Sequence, residues 1–125
     1  MSSSKLNQFE GQKYLSLQTF RKSGAPVNTP VWFAEDGNVF YVYSLANAGK
    51  VKRIRNNPRV KVIPCDIRGN TRGDWVEATA RIVDKAEADR AHTLLNNKYG
   101  LMKRIGGLWS TLLGRERTTI AIEFS

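Results

Sequence analysis

Cysteine and histidine each occur only once, as Cys65 and His92. A lone thiol forms no internal disulfide, and one cysteine with one histidine supports no metal cluster. No apolar run approaches the roughly 20 residues that span a bilayer. The opening residues, MSSSKLNQFEGQKY, lack the apolar centre of a secretory signal, so a reducing cytoplasm is the expected setting. Acidic residues are also scarce: 11 against 20 lysines and arginines, for a net charge of +9. That imbalance favours an anionic partner, whether nucleic acid, an anionic membrane or a ligand rich in phosphate or carboxylate.

What is present is ordinary for a globular chain. The 125 residues are 41% hydrophobic and 25% charged, enough for one domain with a core and too few for two. Tyr14–Phe20 alternates as a half-buried strand should, and Gly24 and Pro26 then mark a turn. Val27–Ala34 resumes the pattern; Pro30, which donates no ladder hydrogen bond, implies a bulge or an edge position there. Asp36-Gly37 is placed to supply the positive φ angles of a hairpin before Val39–Ser44, which would complete a three-stranded meander. Asn47 can cap a helix through Arg55 that stops before Pro58. Val60–Cys65 and Trp75–Val83 read as strands around the polar loop 66–74. From Ala86 the apolar period becomes helical, with Gly100 expected to break it and Leu101–Leu113 a second helix. Thr118–Phe124 closes the chain as a sixth strand. Six short strands with few helices favour a mainly β, six-stranded barrel.

The positive charge is not spread evenly. Lys50, Lys52, Arg53, Arg55, Arg59, Lys61, Arg68 and Arg72 crowd a region whose only acid is Asp66. Lys50 and Arg53, three residues apart, share one helix face, and Lys52 and Arg55 share another. Lys50 stands in the first helical turn, where free N–H groups already favour an anion. A bound phosphate would turn this local repulsion into attraction, with Ser44 and Asn47 as further donors. Taken alone, the cluster is equally what solvated surface charge looks like.

The motifs TPVWF, GKVKRIRNNPRV and KYGL, with SxxxxGKVKRIRxNPRV at its spacing from TPVWF, resemble the pyridoxamine 5′-phosphate oxidase-like superfamily. Within it the chain is most similar to the small proteins described as dependent on the deazaflavin coenzyme F420. The likeness runs from about Tyr14 to Phe124. It implies a Greek-key split β-barrel of the FMN-binding type, a homodimer with cofactor sites at the interface, and F420 or FMN as cofactor. It also implies that Thr29, Pro30, Val31 and Trp32 lie along the ring and Ser44 beneath the ribityl–phosphate tail. The stretch Lys50, Val51, Lys52 and Arg53 would hold the phosphate, and Trp75 would reach across to the partner's site. The chain lacks the arginine- and histidine-bearing C-terminal part that clamps pyridoxal in the oxidases proper. The expected chemistry is therefore hydride transfer to or from some other small molecule, with the catalytic residues unassigned.

Three function classes follow: a flavin-type oxidoreductase, a non-catalytic flavin carrier or sensor, and a basic nucleic-acid-binding barrel. The last would need aromatics interleaved with the charges, and Lys50–Arg59 contains none. Cys65 reads as a small buried hydrophobe or as a redox-active or cofactor-facing thiol, and His92 as a structural or surface residue. Met102, Ile105, Leu108, Trp109, Leu112 and Leu113 can form an apolar stripe that covers the barrel or lies on a membrane surface, without stable insertion.

Overall fold

The computed structural model describes residues 6–45, 48–105 and 117–124. Seven strands form one antiparallel sheet: β1 (Tyr14–Phe20), β2 (Pro26–Trp32), β3 (Ala34–Asp36), β4 (Val39–Leu45), β5 (Arg59–Cys65), β6 (Val76–Ile82) and β7 (Arg117–Glu123). Helix α1 (Gly49–Asn56) joins β4 to β5, and helix α2 (Lys85–Ile105) follows β6. The spatial order is β2-β1-β5-β6-β7-β4-β3. The two edge strands, β2 and β3, are thus consecutive in the chain and separated by Phe33 alone. A sheet whose first and last strands are one continuous segment must curl upon itself, and the result is a split β-barrel.

Alternation decides which side chains enter the barrel. Leu15, Leu17, Val31, Phe40, Val42, Val60, Val62, Ile120 and Ile122 point inward as one cluster. Val51 and Ile54 of α1 join that cluster, as do Leu6 and Phe9 from the N-terminal segment. Phe9 meets Phe33 and Phe40 edge-on, with ring centroids 5.9 and 5.1 Å apart. On the outer face, α2 covers β3, β4 and β7. Leu95 and Tyr99 pack on Ala34 and Trp32, and Ala91 packs on Tyr41 and Ala121.

Three sequence expectations change, and at Pro30 the edge position is the alternative that holds. The strand expected over Val27–Ala34 breaks at Phe33, not at Pro30, which makes seven strands instead of six. The cause is Tyr99: its hydroxyl accepts the Phe33 N–H at 3.1 Å and shares its proton with the carbonyls of Lys13 (2.7 Å) and Phe33 (2.8 Å). Phe33 is thereby taken out of the ladder. Pro30 sits on an edge strand without a bulge, since the β1–β2 register runs unbroken from Tyr14↔Trp32 to Phe20↔Pro26. There is no three-stranded meander, because β2 pairs with β1 but not with β4, which lies between β7 and β3. Helix α2 runs through Gly100; a glycine costs a helix about 1 kcal/mol, less than the burial of Leu95 and Tyr99 just before it returns.

Smaller adjustments concern the turns. Only Gly37 takes a positive φ, 61°, in the β3–β4 hairpin, and Asp36 remains in β3. The residue that caps α1 is Ala48, without a side-chain cap, while Asn47 lies outside the described residues. The proposed stripe from Met102 to Leu113 falls on side chains outside those described. No helix among the described residues is long and apolar enough to cross a membrane.

Candidate functional site: a cationic cradle at helix α1

The candidate site forms where α1 meets the end of β1. The helix buries Val51 and Ile54, which three-residue spacing puts on one face, and so turns its charged residues toward the rim. Its first turn holds no acid. Lys50 is half-buried, and its amine is pulled below the ordinary lysine value, first by desolvation and then by the charge of Arg53. Arg53 is also lowered, by desolvation and by the nearby charge of Arg21. Its Nε donates to the hydroxyl of Thr19 at 2.7 Å. Its Nη1 lies so close to Gly49 that a Cβ at that position would stand 2.8 Å away. The guanidinium therefore folds back over the first turn of its own helix, in space that only a glycine leaves open.

The other expected site residues divide by strand periodicity. Thr29 and Val31 face the barrel interior, and Val31 belongs to the core. Pro30 is exposed on the outer face of the edge strand. Trp32 is half-buried and stacks on Tyr99 with centroids 4.6 Å apart and planes 3° from parallel. One indole face is thus occupied by α2. Ser44 points inward and is buried near the end of β4. Val51 is fully buried, so its side chain is structural and only its backbone can serve a ligand. Lys52 is exposed, as a residue beside the Val51 contact must be. Trp75 stands 36% exposed just before β6.

Sequence reasoning missed Thr19, Arg21, Gly49 and Gln8. Gln8 bonds both ways with the backbone of Asp74, at 2.9 and 2.8 Å, and so fixes the loop that carries Trp75. Nothing in the local pattern around Thr19 or Gln8 reports partners 34 and 66 residues away. Gly49 alone carried a signal, since a glycine inside a helical stretch needs a reason.

Cys65 is buried and its thiol is pushed up to about 11, chiefly by desolvation and then by Asp66; this is the behaviour of a small hydrophobe. His92 is not idle: its Nδ1 meets the Tyr43 hydroxyl beneath α2. A separate groove of about 740 Å³ runs over the outer face past Phe20, Arg59, Lys61, Glu77, Thr79 and Glu123, and Lys50 is not among the residues that line it. We place the site at the α1 cradle nonetheless, because cations without carboxylate partners among the described residues gather there. In the groove Lys61 stands opposite Glu77, and Glu123 is paired with Arg81.

A phosphate-bearing flavin suits this donor set. It offers two cations, a first helical turn free of acid, and a cradle kept open by the absence of one Cβ. Solved structures with the same fold include HutZ, the heme storage protein of Vibrio cholerae. It has a TM-score of 0.67 and 14% identity over 98% of this chain and 89% of that one. An FAD-binding protein of Mesorhizobium loti has a TM-score of 0.67 and 16% identity over 100% and 88%. Campylobacter jejuni ChuZ has a TM-score of 0.73 and 16% identity over 98% and 52%. These likenesses carry the fold alone. No curated protein matches the chain in sequence. The family model described as pyridoxamine 5′-phosphate oxidase matches residues 3–112, and with the curled seven-stranded sheet it assigns the chain to the pyridoxamine 5′-phosphate oxidase family.

Proposed function

We propose that the protein binds a phosphate-bearing flavin-type cofactor, FMN or the deazaflavin F420, and serves as an oxidoreductase acting on a small molecule. The observation that carries this reading is the pair Lys50 and Arg53, gathered and partly desolvated at the first turn of α1 without a carboxylate partner among the described residues. Family membership and the FAD-binding neighbour support it. When bound, such a cofactor supplies hydride transfer. The chain's part is to hold and orient it. Lys50 and Arg53 grip the phosphate, and Ser44 offers a hydroxyl at the end of β4. Among the described residues the outer edge of β2 has no strand partner, so its backbone groups can meet the polar rim of a ring. Val27 to Trp32 spans about 16 Å of extended strand along that edge.

The same reading places two chains together, with the part of the outer face past Lys61, Glu77 and Thr79 available for a second copy and Trp75 near the join. Between the two cofactors, the +9 net charge favours the deazaflavin, whose tail carries extra carboxylates.

The test is fluorescence titration of FMN, riboflavin and F420 into wild type and into Lys50→Ala with Arg53→Ala. The expected outcome is micromolar or tighter binding of a phosphorylated cofactor, weakened at least about tenfold in the double variant. Raised salt should weaken it too, since the contact is partly exposed. Failure of folded protein to bind either cofactor, or uptake of heme in their place, overturns the proposal.

A further inference from the structure

Helix α2 carries a lysine whose amine does not end in open water. Leu95 and Tyr99, four residues apart, turn inward and are buried, and Lys98 lies between them. Its side chain runs back over the barrel wall and is 25% exposed. The amine stands 3.5 Å above the centre of the Phe33 ring and 5.3 Å from that of Tyr99. Phe33 is fully buried, so its ring makes an apolar floor. A carboxylate oxygen of Glu35, on β3, lies 3.6 Å from the same nitrogen. Burial pulls the amine below the ordinary lysine value, and Glu35 opposes that shift without cancelling it.

Lys85, on the same helix, supplies the contrast. It too has a carboxylate within reach, Asp89 at 3.3 Å, but its side chain is 90% exposed and the pair stands in water.

The three neighbours of the Lys98 amine suit one chemistry. An amine attacks a carbonyl carbon only in its neutral form, which desolvation favours. Glu35 can take the ammonium proton as the amine is freed and return it to the hydroxyl of the carbinolamine. The N–C bond forms, water leaves as the C=N bond closes, and no oxidant or reductant is consumed. The product is a protonated imine that keeps its positive charge. The Phe33 ring and the Glu35 carboxylate therefore go on stabilising it. Acyl transfer to the same nitrogen would end in a neutral amide and forfeit both contacts. The surroundings fit an aldehyde, not an acyl donor.

We propose that Lys98 is a covalent capture site for small aldehydes, held as a protonated imine between the Phe33 ring and the Glu35 carboxylate. The site is separate from the α1 cradle and does not depend on the flavin reading.

The test is reaction of the folded protein with benzaldehyde and cyanoborohydride, which reduces protonated imines, followed by peptide mapping in a mass spectrometer. Lys98 should be benzylated several-fold faster than Lys85. Lys98→Arg should remove the fast phase of uptake. Glu35→Gln separates the proposal from mere proton availability. Without the carboxylate the Lys98 amine sheds its proton more readily, so availability alone predicts faster labelling. Loss of the proton carrier and of the counter-charge predicts the reverse, with Lys98 falling to the rate of Lys85. The comparison of Lys98 with Lys85 needs no substitution and stands if a variant does not fold. Lys98 labelled no faster than Lys85 in wild type, or labelled as fast or faster in folded Glu35→Gln, overturns the proposal.

Discussion

Gly49 shows how one missing methyl group connects stability to binding. It stands at the first position of α1 with an ordinary helical backbone, so alanine fits it conformationally and should favour the helix by up to about 1 kcal/mol. The added Cβ would meet Arg53 Nη1, which is the far end of a flexible chain and can swing aside. Gly49→Ala should therefore raise the melting temperature while weakening FMN binding several-fold, because the guanidinium leaves its cradle. Thermal melts paired with titrations check this, and a rise or fall of both together would contradict it. Lys50 and Arg53 were legible in the sequence because helical spacing puts them on one face. Thr19 and Arg21 were not, because their relation to Arg53 arises only when β1 and α1 pack.

Among the elements, the segment β2–Phe33–β3 is pinned, at the point where its ladder breaks, by the hydroxyl of Tyr99. That one oxygen serves the Phe33 N–H and two carbonyls, those of Lys13 and Phe33, and burial raises its pKa well above the ordinary tyrosine value. Tyr99→Phe keeps the stack on Trp32 but strands these buried groups, which should cost about 1–3 kcal/mol in a urea titration. Strand positions were readable because apolar residues alternate wherever one face is buried, so Tyr14–Phe20 emerged with its observed bounds. The break at Phe33 was not readable, since its cause lies on a helix 66 residues away. The KYGL motif contains that cause, Tyr99, although the resemblance assigned it no role.

Across the whole molecule, helix α2 is tied to the barrel by a chain of polar contacts around Glu87. Its carboxylate accepts from the Tyr41 hydroxyl at 2.7 Å and takes both terminal nitrogens of Arg81 at 2.8 Å, while Arg81 also reaches Glu123. Arg81 first, and then Tyr41, hold the Glu87 carboxyl at about 2, below its ordinary 4.5. A depressed folded value means that this stabilisation is complete above about pH 4.5 and lost as pH falls through about 2. Urea midpoints followed from pH 7 to pH 2.5 should therefore fall more steeply in wild type than in Glu87→Gln, and parallel curves would contradict the assignment. The sheet order carries a consequence for synthesis. Strand β7 lies between β6 and β4, so until residues 117–123 have left the ribosome the nascent chain can pair its strands only as two separate half-sheets, β2-β1-β5-β6 and β4-β3. Both halves present raw inner edges during that interval, open to pairing with another nascent chain. Release of the last strand closes both edges in a single step.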